Sequence, residues 1–511
     1  MHNMTKRSIC RLPHILGFIF FLMVLSITPL YFEDGYFNLL QAKGHAITLS
    51  TLLFTGIMLP WMCLRRNAAP LFRFRRSGME CSMLSMAAVS LVSCLFSGNI
   101  AASFWGTDGW CVGAFAYIGG AISSILLSRH LIYRHNLWLP VIGSNIIVFS
   151  VGILHAAGVD VFYLHQWVAP DQIYKYISTI GNLNWYAGYL CLLTPLFAVF
   201  YLSGQTRATR AICLLFLLPA GTNLVLCGSD SIFLGLGFCA FFALPYITAD
   251  AQHMTRACVL LSVYGASLLF VHLSPAFLNW ANAIHGVAGA VLKLSVSVPI
   301  TLFGIGGAVL VHFHWDRLSM KQRYCIAAFL ECLLTATVVI FAINSVSQFN
   351  DSWGTGRGRT WRTSLELFDA FSLKEKLIGT GPELLGPRYT ELSSSFSRPI
   401  LSAHSEPLQV LLTMGVAGLL CWVAVWSCIL GSYFKKQLWK TDEIAFFLPL
   451  TAYLGQSLVN SPQPLNIAVL SVILAVLRLR TEERKLSGSC PVFNRLQQTM
   501  IERGKDVERG F

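Results

Sequence analysis

Two ionisable side chains stand directly ahead of a long apolar run in the stretch AHSEPLQVLLTMGVAG, residues 403–418: His404 and Glu406. Histidine is the side chain whose ordinary pKa lies nearest neutrality, and a neutral imidazole can take a proton from an attacking hydroxyl. Ser405 suits a helix N-cap and Pro407 a first helical turn, so His404 is expected just before a helix N-terminus. The positive end of that helix and neighbouring arginines disfavour imidazolium, which keeps the ring able to accept a proton. Glu406 would orient His404 or stabilise the helix start. The plain alternative is an interfacial histidine that ends a loop.

Five arginines precede this pair: Arg357, Arg359, Arg362, Arg388 and Arg398. A guanidinium presents a planar fork that matches phosphate oxygens, so the group suits a diphosphate. Arg359 is singled out because it would begin a helix, where backbone N–H groups also face anions. The bland alternative pairs these arginines in solvent with Asp351, Glu366 and Asp369. In GNLNWYAGYL, Asn182 and Asn184 could hold sugar hydroxyls together with Trp185 and Tyr186, although an aromatic belt explains the last two equally well. The acidic pair Glu33 and Asp34 reads either as a metal site of a metal-dependent lipid-linked-sugar transferase or as a solvated turn. Glu331 falls inside an apolar run, where a carboxylate is costly unless paired or able to snorkel. Gly379 and Gly381 lack the rest of a nucleotide-loop pattern.

The elements that must carry these residues are greasy. The 511-residue chain is 55% hydrophobic and 12% charged, with mean hydropathy +0.61, which predicts an all-α polytopic membrane protein. Apolar stretches lie near residues 12–31, 44–63, 79–97, 111–128, 137–156, 183–202, 211–227, 232–247, 257–275, 295–312, 324–345, 406–433, 444–461 and 464–480. Most approach the roughly 20 residues a helix needs to cross hydrocarbon, which makes about fourteen spans. The expected organisation is a membrane bundle of about eleven spans over 1–345, a large outer loop over 346–405, three further spans over 406–480 and a basic tail over 481–511.

With both termini cytoplasmic, most of the 37 Lys and Arg residues fall on the inner side, including Lys6, Arg7, Arg11 and the run RRNAAPLFRFRR. The outer side keeps Lys43, Lys175 and Lys293 and the basic loop 346–405. The +13 balance is therefore a topology signal plus attraction to anionic lipid, and no nucleic-acid-binding motif accompanies it. Within the loop, Trp361, Leu365 and Phe368 form an apolar stripe at helical spacing, which predicts a helix lying on the membrane. GTGPELLG then reads as turns before a Ser-rich return to the membrane. Fifteen cysteines without a CxxC pair argue against disulfides and a structural zinc.

Outside a cell no nucleotide is available to drive chemistry. Two classes fit: a transferase with an activated lipid donor, or a flippase or exporter of lipid-linked oligosaccharide. A transporter should line its midplane with charges, whereas here the ionisable groups cluster at one edge.

The loop resembles a known family. GRTWRTSLELFDAFSLKEKLIGTG followed by AHSEPLQVLLTMGVAGLL is similar to the core of the O-antigen ligase and polymerase superfamily of bacterial surface-polysaccharide proteins; SFWGTDGWCVGAF at 103–115 and GNLNWYAGYL at 181–190 resemble two of its upstream segments. The resemblance implies a GT-C-like glycosyltransferase of the bacterial cytoplasmic membrane, moving a glycan from undecaprenyl diphosphate to a saccharide or protein acceptor with no metal or nucleotide cofactor. It implies diphosphate binding by Arg359 and activation of the acceptor by His404; Arg357, Arg388 and Arg398 stay diphosphate candidates on their chemistry alone. One departure stands out: in GSDS, Asp230 takes the place where many members carry arginine. Either Arg388 or Arg398 would then substitute, or the donor sits differently.

Overall fold

The computed structural model describes residues 11–64, 77–107, 110–392 and 401–489. Arg398, the Ser-rich stretch and the basic segments at 1–10 and 65–76 lie outside the described residues. Long apolar runs in hydrocarbon can satisfy their backbone only internally, so the chain is built of helices. In order they are α1 (Arg11–Leu22), α2 (Leu39–Leu64), α3 (Gly78–Leu95), α4 (Ile100–Trp105), α5 (Ala114–His130), α6 (Trp138–Ala156) and, after a two-residue hairpin β1 (Tyr176–Ile177) and β2 (Gly181–Asn182), α7 (Leu183–Ser203). There follow α8 (Arg207–Leu226), α9 (Ser231–Ala249), α10 (Ala251–Leu273), α11 (Leu278–Ala283), α12 (Gly286–Leu292), α13 (Leu294–His314) and α14 (Met320–Ser347). The last group is α15 (Trp353–Ala370), α16 (Leu373–Ile378), α17 (Leu385–Leu392), α18 (Glu406–Lys436), α19 (Ile444–Ser457) and α20 (Pro464–Ser489).

Among the described residues, 11 helices are long and apolar enough to cross a membrane. Every one of the fourteen expected stretches contains a helix; α1 with its continuation to Ile27, α5 and α19 are the ones shorter than that length. The short α8 and α9 stretches, separated only by the polar residues 227–230, form two distinct helices.

The core lies around α7, α19 and α20. Tyr186, Tyr189 and Phe197 of α7 are fully buried, and α7 packs against α8, α9, α19 and α20. Lys43, expected in an outer loop, is instead inside α2 and 1% exposed. Its ammonium donates to the carbonyls of Thr28, Pro29 and Tyr31 at 2.8–3.0 Å, satisfying the end of the first helix. A charged pole occupies the start of α3 and the ends of α5 and α20: the Glu80 carboxylate, closed by a capping box with Ser77, meets Arg129 at 3.6 Å and Arg478 at 3.5 Å.

The 346–405 segment differs from its sequence reading in two ways. The helix expected there exists as α15, entered through left-handed Gly354, Thr355 and Gly356, but the face it turns inward carries Thr363, Ser364 and Leu367. Leu365 is 52% exposed, and Trp361 packs against Trp353 with ring centres 5.3 Å apart. Leu367 and Phe371 instead join Leu385, Tyr389 and Leu412 in a small apolar core, so tertiary contacts chose a different stripe from the one the spacing offered. The second difference is that GTGPELLG leads directly into α17.

The Gly-x-Gly turn has a mechanical role. α18 breaks at Gly415 (φ 67°, ψ −169°), a backbone region open essentially to glycine alone. The interruption frees carbonyls, and the turn supplies donors: Thr380 N–H reaches Leu412 O at 3.3 Å and Gly381 N–H reaches Thr413 O at 3.0 Å. Ser93 Oγ donates to the same Thr413 oxygen at 2.7 Å. A Cβ on Gly379 would stand 2.2 Å from the Thr413 carbonyl, so only glycine permits this approach. The loop is thereby bonded to the backbone of α18 near its kink.

Candidate active site

The start of α7 is the fixed wall of the site. Asn182 caps the helix, its side-chain oxygen accepting Asn184 N–H at 2.9 Å. Gln456 of α19 donates to the Asn184 carbonyl, and Asn466 of α20 to the Trp185 carbonyl, both at 3.2 Å. With its backbone gripped by two helices, Asn184 presents Oδ1 to Ser229 Oγ at 2.8 Å and to Arg357 Nη2 at 3.4 Å. Asn182 is thus spent on the cap, while Asn184 faces the loop cation.

Arg357 is the cation the fold brings inward. Nη2 also donates to Asn460 Oδ1 at 3.0 Å and Nη1 to the Gly354 carbonyl at 3.1 Å, so these partners are all neutral oxygens. Arg357 Nε and Asn460 Nδ2 are buried and lack a hydrogen-bond partner among the described residues. Burial pushes the Arg357 pKa below its usual value, with the Asp230 charge pulling the other way. Even so a guanidinium stays protonated. The result is a charged group with a spare N–H beside an amide with a spare NH₂, an arrangement that favours an anion.

The other sequence candidates fall elsewhere. Arg359 is exposed, and its backbone N–H donates to Asp351 O at 3.3 Å. Arg388 pairs with Glu375 at 2.7 Å, and Arg362 with Asp351 at 2.7 Å. Asp230 accepts Ala288 N–H at 3.0 Å and lies so close to Gly286 (φ 67°) that a Cβ there would be 2.2 Å from its carboxylate. Glu33 and Asp34 are exposed, Glu33 bonded to the Tyr31 hydroxyl, as a solvated turn would have them. Glu331 is half-buried on α14.

His404 is half-buried in a left-handed conformation (φ 48°), with its N–H directed to Ser402 Oγ at 3.3 Å. Burial, and then the charge of Arg357, hold its pKa below the ordinary histidine value. The ring is therefore neutral at pH 7 and in electrostatic contact with Arg357. Ser405 stands at the N-cap of α18 without a side-chain capping bond, and Pro407 is in the first turn. Glu406 is turned the other way, into the bundle: Trp422 Nε1 donates to one carboxylate oxygen at 2.9 Å and the Tyr453 hydroxyl to the other at 3.1 Å. It anchors α18 to α19.

Two residues that sequence reading did not single out complete the site. Asn460 lies in the short break NSPQP between α19 and α20, where a polar residue two positions before a proline at the lip of two apolar runs was a readable sign. Glu383 is the acid within GTGPELLG. It adopts φ 60°, and its carboxylate accepts Thr107 N–H at 2.6 Å, Val112 N–H at 2.7 Å and the Thr107 hydroxyl at 3.2 Å. Burial pushes the Glu383 pKa up to about 7 although those donors pull it down. Thr355, Glu383 and His404 are non-glycine residues at positive φ, and such strain persists where surrounding structure enforces it.

A cavity of about 300 Å³ opens beside this cluster, lined by Trp110, Tyr117, Glu383, Gln409, Ser402 and Ser461 among others. Ser402 and Ser461 share a short hydrogen bond, and their chain neighbours are Ala403–His404 and Asn460, so the cavity abuts the arginine cluster. Aromatic faces combined with hydroxyl, amide and carboxyl groups suit a polyhydroxylated ligand. No family model matches the chain, and no curated protein matches it significantly.

Proposed function

We propose that the protein is a membrane glycosyltransferase that moves a glycan from a polyprenyl diphosphate to an acceptor hydroxyl at the outer face of the bacterial cytoplasmic membrane, in the manner of O-antigen ligases and polysaccharide polymerases. The observation that carries this reading is the Arg357 guanidinium, half-buried among neutral oxygens with a spare N–H and in electrostatic contact with a neutral His404. In this reading Arg357, with the Asn460 amide, holds the diphosphate and stabilises the charge that grows on the leaving group. His404 takes the proton of the acceptor hydroxyl as that oxygen attacks the anomeric carbon, and the diphosphate leaves with the bonding electrons. The cavity beside Trp110 and Tyr117 receives the acceptor sugar. The arginine role moves from Arg359 to Arg357, because the latter is half-buried and its charge acts on the histidine, whereas Arg359 is exposed.

Purified protein given polyprenyl-diphosphate glycan and acceptor should form product without nucleotide. Replacing His404 with Ala should lower the rate about 10²–10⁴-fold at unchanged abundance. Arg357→Ala should abolish transfer and Arg357→Lys restore part of it, since a point charge replaces a fork. In cells the lipid-linked precursor should then accumulate in the outer leaflet; accumulation in the inner leaflet would make the protein an exporter.

A further inference from the structure

Away from the arginine cluster, the segment after α6 folds back on that helix and gathers His155, Asp160 and His165, whose donor atoms all lie within 4.8 Å of one another. His155 is 4% exposed, and its Nε2 has no hydrogen-bond partner among the described residues. Asp160 shapes the turn, accepting Leu164 N–H at 2.9 Å on one oxygen and His165 N–H at 2.8 Å on the other.

Both imidazole tautomers are fixed from outside the cluster. The Tyr36 hydroxyl gives its single proton to the Ser178 carbonyl at 2.5 Å. At 3.1 Å from His155 Nδ1 its oxygen can then only accept, so Nδ1 carries the hydrogen. His165 Nε2 lies 3.1 Å from the Tyr176 carbonyl, which also only accepts, so Nε2 carries the hydrogen there. The nitrogens left over, Nε2 of His155 and Nδ1 of His165, direct lone pairs at the Asp160 carboxylate at 3.3 and 3.4 Å. Two lone pairs aimed at an anion repel unless a positive charge lies among them. Donors held about 2.0–2.1 Å from a tetrahedral zinc ion are about 3.3–3.4 Å apart, which is the spacing found between each imidazole nitrogen and the carboxylate oxygen nearest it. Outer partners that fix ring orientation, here Tyr36 and the Tyr176 carbonyl, are the usual surroundings of ligating histidines.

We propose that His155 Nε2, His165 Nδ1 and the Asp160 carboxylate bind a divalent cation of the zinc class. Two imidazoles with one carboxylate select such an ion over calcium or magnesium, which prefer oxygen. The site is a clamp and takes no part in glycan transfer. It ties the loop after α6 to the helix end, and through Tyr176 and Ser178 it steadies the hairpin that runs into Asn182 and so the start of α7.

The test uses full-length protein purified without a histidine tag, stripped with chelator and titrated with Zn²⁺ or Co²⁺ alone. The expected result is about one zinc retained per chain after desalting, a tetrahedral Co²⁺ absorption spectrum that zinc displaces, and a higher melting temperature with metal. Asp160→Asn and His165→Ala should lose all three. Wild-type protein that retains no more zinc than His165→Ala, or whose melting temperature zinc leaves unchanged, overturns the proposal, and neither reading requires activity.

Discussion

Glu383 and His404 are two titratable groups shifted in opposite directions by the same cause. Burial disfavours whichever form is charged, so it lifts the carboxyl toward about 7 and lowers the imidazole. Near neutrality His404 is a base, and Glu383 is divided between its two forms. The Glu383 pKa is raised above the value it has in an unfolded chain, so the folded protein binds more protons here between about pH 4.3 and the folded value. Stability from this group is complete below that window and is lost as pH rises through about 7. Glu383→Gln cannot titrate, and melting curves of detergent-solubilised protein should therefore show a smaller fall from about pH 6 to about pH 8 than wild type shows. An equal fall in both proteins would place the titration elsewhere. Glu383 escaped sequence reading because nothing in its neighbours reveals Thr107 and Val112, which lie 276 and 271 residues away. His404 was legible because its place before an apolar helix is a local property. The choice between Arg357 and Arg359 was not, since it depends on the left-handed run Gly354–Gly356 that turns one arginine inward and leaves the other in solvent.

At the scale of elements, the apolar runs made the helices readable, whereas the packed face of α15 was not, because Leu367 and Phe371 find α17 and α18 only in three dimensions. The junction of the Gly-x-Gly turn with the α18 kink is the element most sensitive to small changes. A side chain at Gly415 would meet the Leu377 carbonyl carbon at 2.3 Å and would also have to adopt a conformation reserved for glycine. Gly415→Ala should cost at least about 1–3 kcal/mol and lower both the melting temperature and the yield of folded protein. Gly431 lies in the same helix with nothing within 4 Å of the point where a Cβ would stand, so Gly431→Ala should leave both unchanged. If the two variants behave alike, the kink is not what holds the loop.

For the whole molecule, the candidate site and the Glu80 pole mark different ends of the bundle. The stretches between α3 and α5, α6 and α7, α8 and α9, α14 and α18, and α19 and α20 contribute Thr107, Asn182, Ser229, Arg357 and Asn460 to one end, as an alternating path through a membrane would arrange them. The proposed orientation puts this end outside. In a chain whose Cys10 and Cys490, outside the described residues, and exposed Cys63, Cys81, Cys325 and Cys332 are all replaced by serine, a cysteine at Leu373, which is 75% exposed, should react with an impermeant thiol reagent in intact cells. One at the exposed Lys485 should react only after lysis. The opposite pattern would invert the protein and remove the lipid-diphosphate reading with it.

The distances along the chain that the site spans also set when it comes into being. Arg357 reaches back 173 residues to Asn184 and forward 103 to Asn460, and Ser93 waits for a carbonyl 320 residues later. A nascent chain that has emerged as far as α14 already has the asparagine and the loop that Glu383 will grip, but neither the cation nor the imidazole. The cluster closes only with the last helices, so under the proposed function synthesis itself would delay the chemistry until the polypeptide is all but finished, and a chain terminated before α18 should be inert.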